Sequence, residues 1–179
     1  MRPRCIAGRR RSSMRAMSAD PLAPLLDDLV AANRILAHYG VLDGFGHVSA
    51  RHPRHPERFL LSRSLAPELV TAADIMTFGP DSEPLDGDAR TPYLERAIHG
   101  EVYRARPDVM AVVHSHSPSV IPFAASSVKL RPIYHMGSFL GAGASVFDIR
   151  KRFGCTDMLV RNRAQGEALA ADLGRDAVV

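Results

Sequence analysis

Two histidines separated by a single residue, His114 and His116, are the sharpest chemical signal in this sequence. They lie in the run VVHSHS, which has the pattern of a β-strand and is followed by Pro118. Alternate side chains of a strand share a face, so both imidazoles would lie on one side, about 7 Å apart along the backbone. Histidine is a common metal ligand, and the spacing predicts a metal site at a strand end. An isolated pair would also fit two polar histidines held by neighbouring hydroxyl groups.

Two other features could contribute to the same chemistry. Glu95 lies in the predicted preceding helix, with His99 four residues later on the same side. A carboxylate in a metal cleft can be a general acid or base, or a third ligand, although an exposed helix pair is the simpler interpretation of these two residues. The turn at residues 44–49, GFGHVS, could offer backbone amides to an anionic group, or could be only a tight hairpin turn.

Apolar periodicity and turn residues predict the elements that position these side chains. Helices are predicted at residues 21–40 and 93–106, in the short segment PSVIPFAAS, and from about Asp157 to Leu173. Strands are predicted at residues 47–51, 59–62, 75–78, 109–116, 131–134 and 145–149, and residues 176–179 have the pattern of another strand that begins there. The predicted fold class is α/β, with a sheet that is not purely parallel because its first two strands form a hairpin.

Charge and composition narrow the classes of partner. Six of the 23 Lys and Arg residues lie in residues 1–17, and the remainder of the chain carries 17 basic against 19 acidic residues. We interpret residues 1–17 as a disordered basic extension, from an over-extended start or a transit peptide, and expect one domain over residues 18–179. The mildly acidic domain argues against a nucleic acid partner, no apolar run is long enough for a membrane helix, and two cysteines favour a reducing cytoplasm.

In order along the chain, GHVSAR, LLSRSLAPELVTAADI and YLERAIHGEVYRARPDVMAVVHSHSPSV resemble the class II aldolase/adducin family. The resemblance covers roughly residues 22–179. It implies a three-layer αβα sandwich around a central, mainly antiparallel mixed sheet. It also implies a homotetramer with active sites at the subunit borders.

The resemblance suggests roles for single residues. His114 and His116 match the first two metal-ligand histidines, and Glu95 matches the acid/base glutamate, which can also approach the metal. His47 falls where sugar-phosphate aldolases commonly carry an asparagine. His135 is expected in the substrate pocket or packed in the core, rather than as a replacement metal ligand.

Departures from the sugar-phosphate members point to a different substrate. The expected phosphate-binding loop reads Ser62-Arg63-Ser64, and the guanidinium of Arg63 suits a carboxylate, unless it is simply a surface arginine. The segments SRSLAPELV and HSHSPSVIPF resemble more closely the decarboxylase-like branch of the family, whose members act on hydroxylated aromatic or pyridine carboxylates. The third metal histidine of the family would lie beyond Val179, so we expect that the C-terminal part of the domain is missing.

These observations predict a lyase that uses a divalent metal, zinc first and manganese or iron as alternatives. It would cleave a carbon–carbon bond of a small anionic hydroxy-carboxylate, by aldol cleavage or decarboxylation through a metal-stabilised enolate. The alternatives are a catalytically impaired, adducin-like structural relative and, less favoured, a non-haem iron oxygenase on the same scaffold.

Overall fold

The computed structural model describes residues 21–85 and 87–179; the predicted basic extension, residues 1–17, lies outside this part of the chain. Helix α1 spans Leu22–His38, close to its predicted bounds. It is followed by Gly40, whose φ of 67° lies in the left-handed region that glycine adopts most easily. No helix in the described ranges combines the length and the apolarity needed to cross a bilayer.

Four strands form one antiparallel sheet: β1 at His47–Arg51, β2 at Phe59–Ser62, β3 at Ile75–Phe78 and β4 at Ala111–His114. Their order in the sheet is β3-β2-β1-β4. The first three strands have their predicted bounds, and β4 is shorter than predicted. The prediction that this strand is buried is wrong, because β4 is an edge strand of the described sheet and the Val113 side of it is uncovered.

Helices cover both faces of the sheet, as the predicted αβα layering requires. On one face Leu29 of α1 packs in a cluster with Val48 of β1 and Leu60 of β2. On the other face lies α2, Arg96–Ala105, with Tyr103 packed among apolar residues of β2 and β3. Two 3-10 turns, Pro67–Leu69 and Ala72–Asp74, connect β2 to β3.

Helix α5, Arg163–Leu173, packs on the outer side of α2. The two backbones approach closely at Gly166, where a Cβ atom would lie 2.7 Å from the carbonyl oxygen of Ala97 and 2.9 Å from Cγ of Glu101. Only glycine leaves room for this contact. The close packing holds α2, which carries residues of the candidate site, between the sheet and α5.

The second half of the chain departs most from prediction. Residues 131–134, 145–149 and 176–179 form no strands, since none of them finds a hydrogen-bonded neighbour in the described sheet. A 3-10 segment, His135–Leu140, and two one-turn helices, α3 at Ile121–Ala124 and α4 at Arg150–Phe153, occupy this part. Helix α5 starts later than predicted because the Asn162 side chain caps it, accepting from the amide of Gln165 at 3.0 Å.

Candidate active site

Antiparallel pairing brings the first candidate residues together. His47 begins β1, His114 ends β4, and the two lie directly opposite each other in the register. Their ring centroids are 5.0 Å apart. Directly paired residues share a face, so both side chains project to the side of the sheet covered by α2.

His116 lies just beyond the end of β4, but its ring still meets that of His114. The two Nε2 atoms are 2.9 Å apart and the rings are nearly perpendicular, at 87°. Two nitrogens bound to one tetrahedral zinc ion would be roughly 3.3 Å apart, given metal–nitrogen distances of about 2.0 Å. The pair therefore has close to the spacing that one shared ion requires.

Glu95 joins this pair from the start of α2. It immediately precedes the helix rather than lying one turn inside it as predicted. Its Oε1 accepts a hydrogen bond of 3.1 Å from the amide of Val160, and its Oε2 is 3.7 Å from His114 Nε2. One ligand atom each from Glu95, His114 and His116 lies within 4.8 Å of the others.

A residue missed by the sequence analysis, Asp43, supports His116 from the other side. Both carboxylate oxygens of Asp43 lie 3.2 Å from His116 Nδ1. Burial raises the pKa of Asp43, but hydrogen bonds from the amides of Phe45 and Gly46 and from His116 outweigh it, so the pKa is lowered. An Asp directly before a glycine-bounded turn is a local signal for such a side-chain-capped turn.

His99 is fully buried, so the interpretation of Glu95 and His99 as an exposed helix pair is wrong for His99. His99 lies on the face of α2 that packs against the sheet. Its Nδ1 is 2.6 Å from Ser49 Oγ, which is 2.7 Å from the Tyr103 hydroxyl. The signal was available in the spacing, because His99 and Tyr103 are four residues apart on one helix face and Ser49 shares a strand face with His47.

His47, His99 and His114 are shifted toward their neutral forms. Burial, with the neighbouring histidines, lowers the pKa of His47 to about 3 and that of His99 well below its usual value. Burial also lowers the pKa of His114, against the opposing effect of the Glu95 charge. A neutral imidazole has the free lone pair that a metal ligand needs.

Among the residues that the structure describes, two groups of side chains could hold a cation, and both contain His114. One is Glu95, His114 and His116; the other is His47, His99 and His114. In the second group, a nitrogen of each histidine is buried without a hydrogen-bond partner among the described residues: Nε2 of His47, Nε2 of His99 and Nδ1 of His114. Three histidines can hold zinc, but His47 and His99 of the second group are fully buried. All three members of the first group are partly exposed, so that group better leaves a position open for substrate.

The predicted substrate-binding residues lie in different surroundings. Ser62 is fully buried and its hydroxyl has no partner in the described structure, while Ser64 and His135 are exposed. Arg63 bonds through Nε to Asp74 at 2.7 Å. Hydrogen bonds from Thr71 and Arg63 lower the pKa of Asp74 to about 2. His47 stacks on Tyr93 with ring centroids 4.0 Å apart.

A cavity of about 710 Å³ lies away from these residues. Its walls come from residues 120–130 and 142–147, together with Leu169 and the last residues of the chain. None of the predicted site residues lines it. The histidine cluster is therefore a separate feature of the molecule.

The chain is similar to known decarboxylases. It is 39% identical over 146 residues to the decarboxylase tropJ of Talaromyces stipitatus, covering 79% of this chain and 55% of that protein. It is 33% identical over 166 residues to a 3,4-dihydroxyphthalate decarboxylase of Arthrobacter keyseri, covering 84% of this chain and 63% of the relative. The chain thus spans less than two thirds of either relative.

Solved structures show the same fold. An aldolase II superfamily protein from Pseudomonas syringae matches 86% of this chain with a TM-score of 0.64 and 24% identity. An L-fuculose 1-phosphate aldolase from Glaciozyma antarctica PI12 matches 62% of this chain and 47% of that protein, with a TM-score of 0.54 and 29% identity. Residues 27–179 match the Class II Aldolase and Adducin N-terminal domain, and the chain belongs to that family.

Proposed function

We propose that this chain carries the metal-binding and acid/base residues of a divalent-metal-dependent carbon–carbon lyase. The reaction is decarboxylation or aldol cleavage of a small hydroxylated carboxylate. The observation that carries the proposal is the convergence of one ligand atom each from Glu95, His114 and His116 within 4.8 Å. The two similar proteins named as decarboxylases favour decarboxylation.

Zinc is the first candidate for the ion, with manganese and iron as alternatives, because imidazole nitrogens and a carboxylate oxygen suit all three. A bound ion would supply a Lewis acid for neighbouring oxygens of the substrate. His114 and His116 would hold it through Nε2. The negative charges of Glu95 and Asp43 would offset part of the charge of the ion.

Glu95 is the proposed acid/base residue. The amide of Val160 holds Oε1, so the orientation of the carboxylate is set and Oε2 faces His114. This second oxygen can ligate a cation while no substrate is present, and can accept or return a proton when substrate occupies the site.

Arg63 is the proposed partner of a substrate carboxylate. Asp74 holds its Nε, which orients the guanidinium and leaves the terminal nitrogens for a bidentate contact. Ser62, Ser64, His47 and His135 remain proposed substrate-binding residues. The substrate class that fits an arginine and several neutral hydrogen-bonding groups is a hydroxylated aromatic or pyridine carboxylate.

The test combines metal analysis with turnover. Purified chain is loaded with Zn²⁺ or Mn²⁺, its metal content is measured, and loss of 3,4-dihydroxyphthalate is compared with loss of L-fuculose 1-phosphate. We expect about one ion per chain, conversion of the carboxylate, and loss of both properties in His114→Ala but not in His38→Ala, a change at an exposed histidine. Bound metal without turnover of either compound would favour the structural, adducin-like alternative. Activity that persists in EDTA and in His114→Ala would refute the proposal.

We also propose that the chain forms a homo-oligomer, a tetramer by the family resemblance. Large apolar side chains are exposed in the segment 120–146, among them Ile133 at 92% and Phe139 at 63%. Apolar patches of this kind commonly mark protein interfaces. Light scattering coupled to gel filtration tests this, and a monomer at micromolar concentration would contradict it.

A further inference from the structure

Asp43 lies in the turn that precedes β1 and that contacts the backbone of His114 at the end of β4. Its Oδ1 accepts hydrogen bonds from the amides of Phe45, at 2.9 Å, and Gly46, at 2.8 Å. The turn approaches β4 closely, because a Cβ atom on Gly46 would lie 3.1 Å from the carbonyl oxygen of His114 and 2.8 Å from Leu42. Two backbone hydrogen bonds and a close backbone contact therefore hold the carboxylate in place.

This carboxylate faces the Nδ1 atom of His116, although the two residues are 73 positions apart. Both distances are 3.2 Å. An ionised carboxylate only accepts hydrogen bonds, so Nδ1 is the nitrogen that carries the hydrogen. The lone pair of His116 is then on Nε2, the atom that lies 2.9 Å from His114 Nε2.

We propose that Asp43 is a positioning residue that holds His116 in the tautomer and orientation required to bind a divalent cation through Nε2. The inference rests on the metal site proposed above. A hydrogen bond from the second ring nitrogen to a carboxylate both fixes the tautomer of a ligand histidine and makes it more basic. Only one of the two ligand histidines has this support in the described part of the chain: Nδ1 of His116 faces Asp43, whereas Nδ1 of His114 has no hydrogen-bond partner there.

The decisive variant is Asp43→Asn. The asparagine oxygen can still accept from the two backbone amides, but an NH₂ donor replaces the second oxygen at the same distance from Nδ1. The remaining oxygen is uncharged and already shared by two amides, so it is a weaker acceptor for Nδ1–H. The tautomer with the hydrogen on Nε2 is then favoured, and that tautomer lacks the lone pair that the metal needs. We expect the dissociation constant for Zn²⁺ or Mn²⁺ to rise on the order of 10–100-fold, measured by competition with a chromophoric chelator.

A matched control is Asp81→Asn. Asp81 also accepts a backbone amide through Oδ1, from Glu83 at 3.0 Å, in an exposed loop, and it belongs to neither group of candidate ligands. Its substitution changes the net charge equally and should leave the metal affinity within about twofold. In a His116→Ala background, Asp43→Asn should add no further loss, because Asp43 acts through that ring.

A second measurement does not depend on a variant that folds. Nitrogen-15 NMR of the metal-free wild type in alkaline solution reports which ring nitrogen of His116 carries the hydrogen. We expect Nδ1–H in the wild type and Nε2–H in Asp43→Asn. An Nε2–H tautomer in the wild type, or an unchanged affinity in Asp43→Asn, would overturn the inference and leave the metal site standing. A wild type that binds neither ion would refute the metal site itself.

Discussion

His47 and His114 stand opposite each other on β1 and β4, with ring centroids 5.0 Å apart. The pairing places the glycine-bounded turn before β1 next to the end of β4, where His114 and His116 lie. It also removes His47 from water, because Tyr93 stacks on its other side at 4.0 Å. The stability of this part of the fold should consequently depend on the protonation state of His47.

The first prediction concerns pH. The folded-state pKa of His47 is about 3, below the ordinary value near 6.5, so between these limits the unfolded chain binds the extra proton. The stability that neutral His47 contributes is complete above about pH 6.5 and declines as the pH falls toward 3, by up to about 1.4 kcal/mol per pH unit. In His47→Asn this dependence is absent.

The measurement is urea unfolding of the chelator-treated wild type and of His47→Asn at several pH values. The gap in unfolding free energy between the two proteins should shrink as the solution is acidified from pH 6.5. Carboxylates titrate in both proteins and cancel in the difference. A gap that is constant with pH would show that the burial of His47 is not linked to its protonation.

The second prediction concerns the hydrogen bonds of Ser49. Ser49→Ala leaves buried Nδ1 of His99 without a partner and removes one of the two partners of the Tyr103 hydroxyl, which also accepts from the amide of Val112. A buried group left without a partner costs about 1–3 kcal/mol, so we expect a loss of about 1–3 kcal/mol. Ser62→Ala is the matched control, since Ser62 is equally buried on the next strand but its hydroxyl has no partner. Equal losses in the two variants would contradict this assignment.

The third prediction concerns Arg51, a buried arginine that caps the end of α2. Its NH2 group donates to the carbonyls of Tyr103 and Arg106, each at 2.9 Å, and its Nε donates to Val109. Arg51→Met removes the side-chain donor to these carbonyls, of which, in the described part of the chain, only that of Arg106 has a second donor, the amide of Val109 at 3.0 Å. It also removes a cation from a helix C-terminus.

We expect Arg51→Met to lower the unfolding free energy by about 2–4 kcal/mol. The loss should be nearly independent of salt, because the acceptors are uncharged carbonyls and the Arg51 side chain is buried. Arg58→Met, at a partly exposed arginine paired with Glu57, should change stability by less than about 1 kcal/mol. Thermal and chemical unfolding at low and high salt would check both, and a salt-sensitive loss at Arg51 would count against this role.

The fourth prediction reverses an ordinary rule. A Gly→Ala change inside a helix usually stabilises a protein by about 1 kcal/mol. Gly166→Ala should instead destabilise by about 1–2 kcal/mol, since the new methyl group meets the backbone of Ala97 at 2.7 Å. Gly137→Ala, whose nearest atom would be 3.4 Å away, should be close to neutral. A stabilising Gly166→Ala would mean that α5 does not pack against α2 this closely.

Much of the first half of the fold could be predicted because its signals are local. The bounds of β1, β2 and β3 followed from alternating or continuous apolar runs between turn residues, and α1 followed from its apolar stripe and Gly40. In the second half the same apolar patterns were misleading. Residues 131–134 and 145–149 are short, partly apolar runs of strand length, but a strand exists only where a neighbour accepts its backbone hydrogen bonds, and nothing in the sequence reports that neighbour.

The sequence by itself determined that His114, His116 and Glu95 could act together, since their residue types and short spacings place them on adjoining elements. Only the tertiary structure decided which groups surround them. It brought Asp43 to His116 across 73 residues and buried His99 beside His47, through strand pairing and the packing of α2 on the sheet. Contacts between distant segments depend on how whole elements pack, and a single sequence carries no local pattern for that packing.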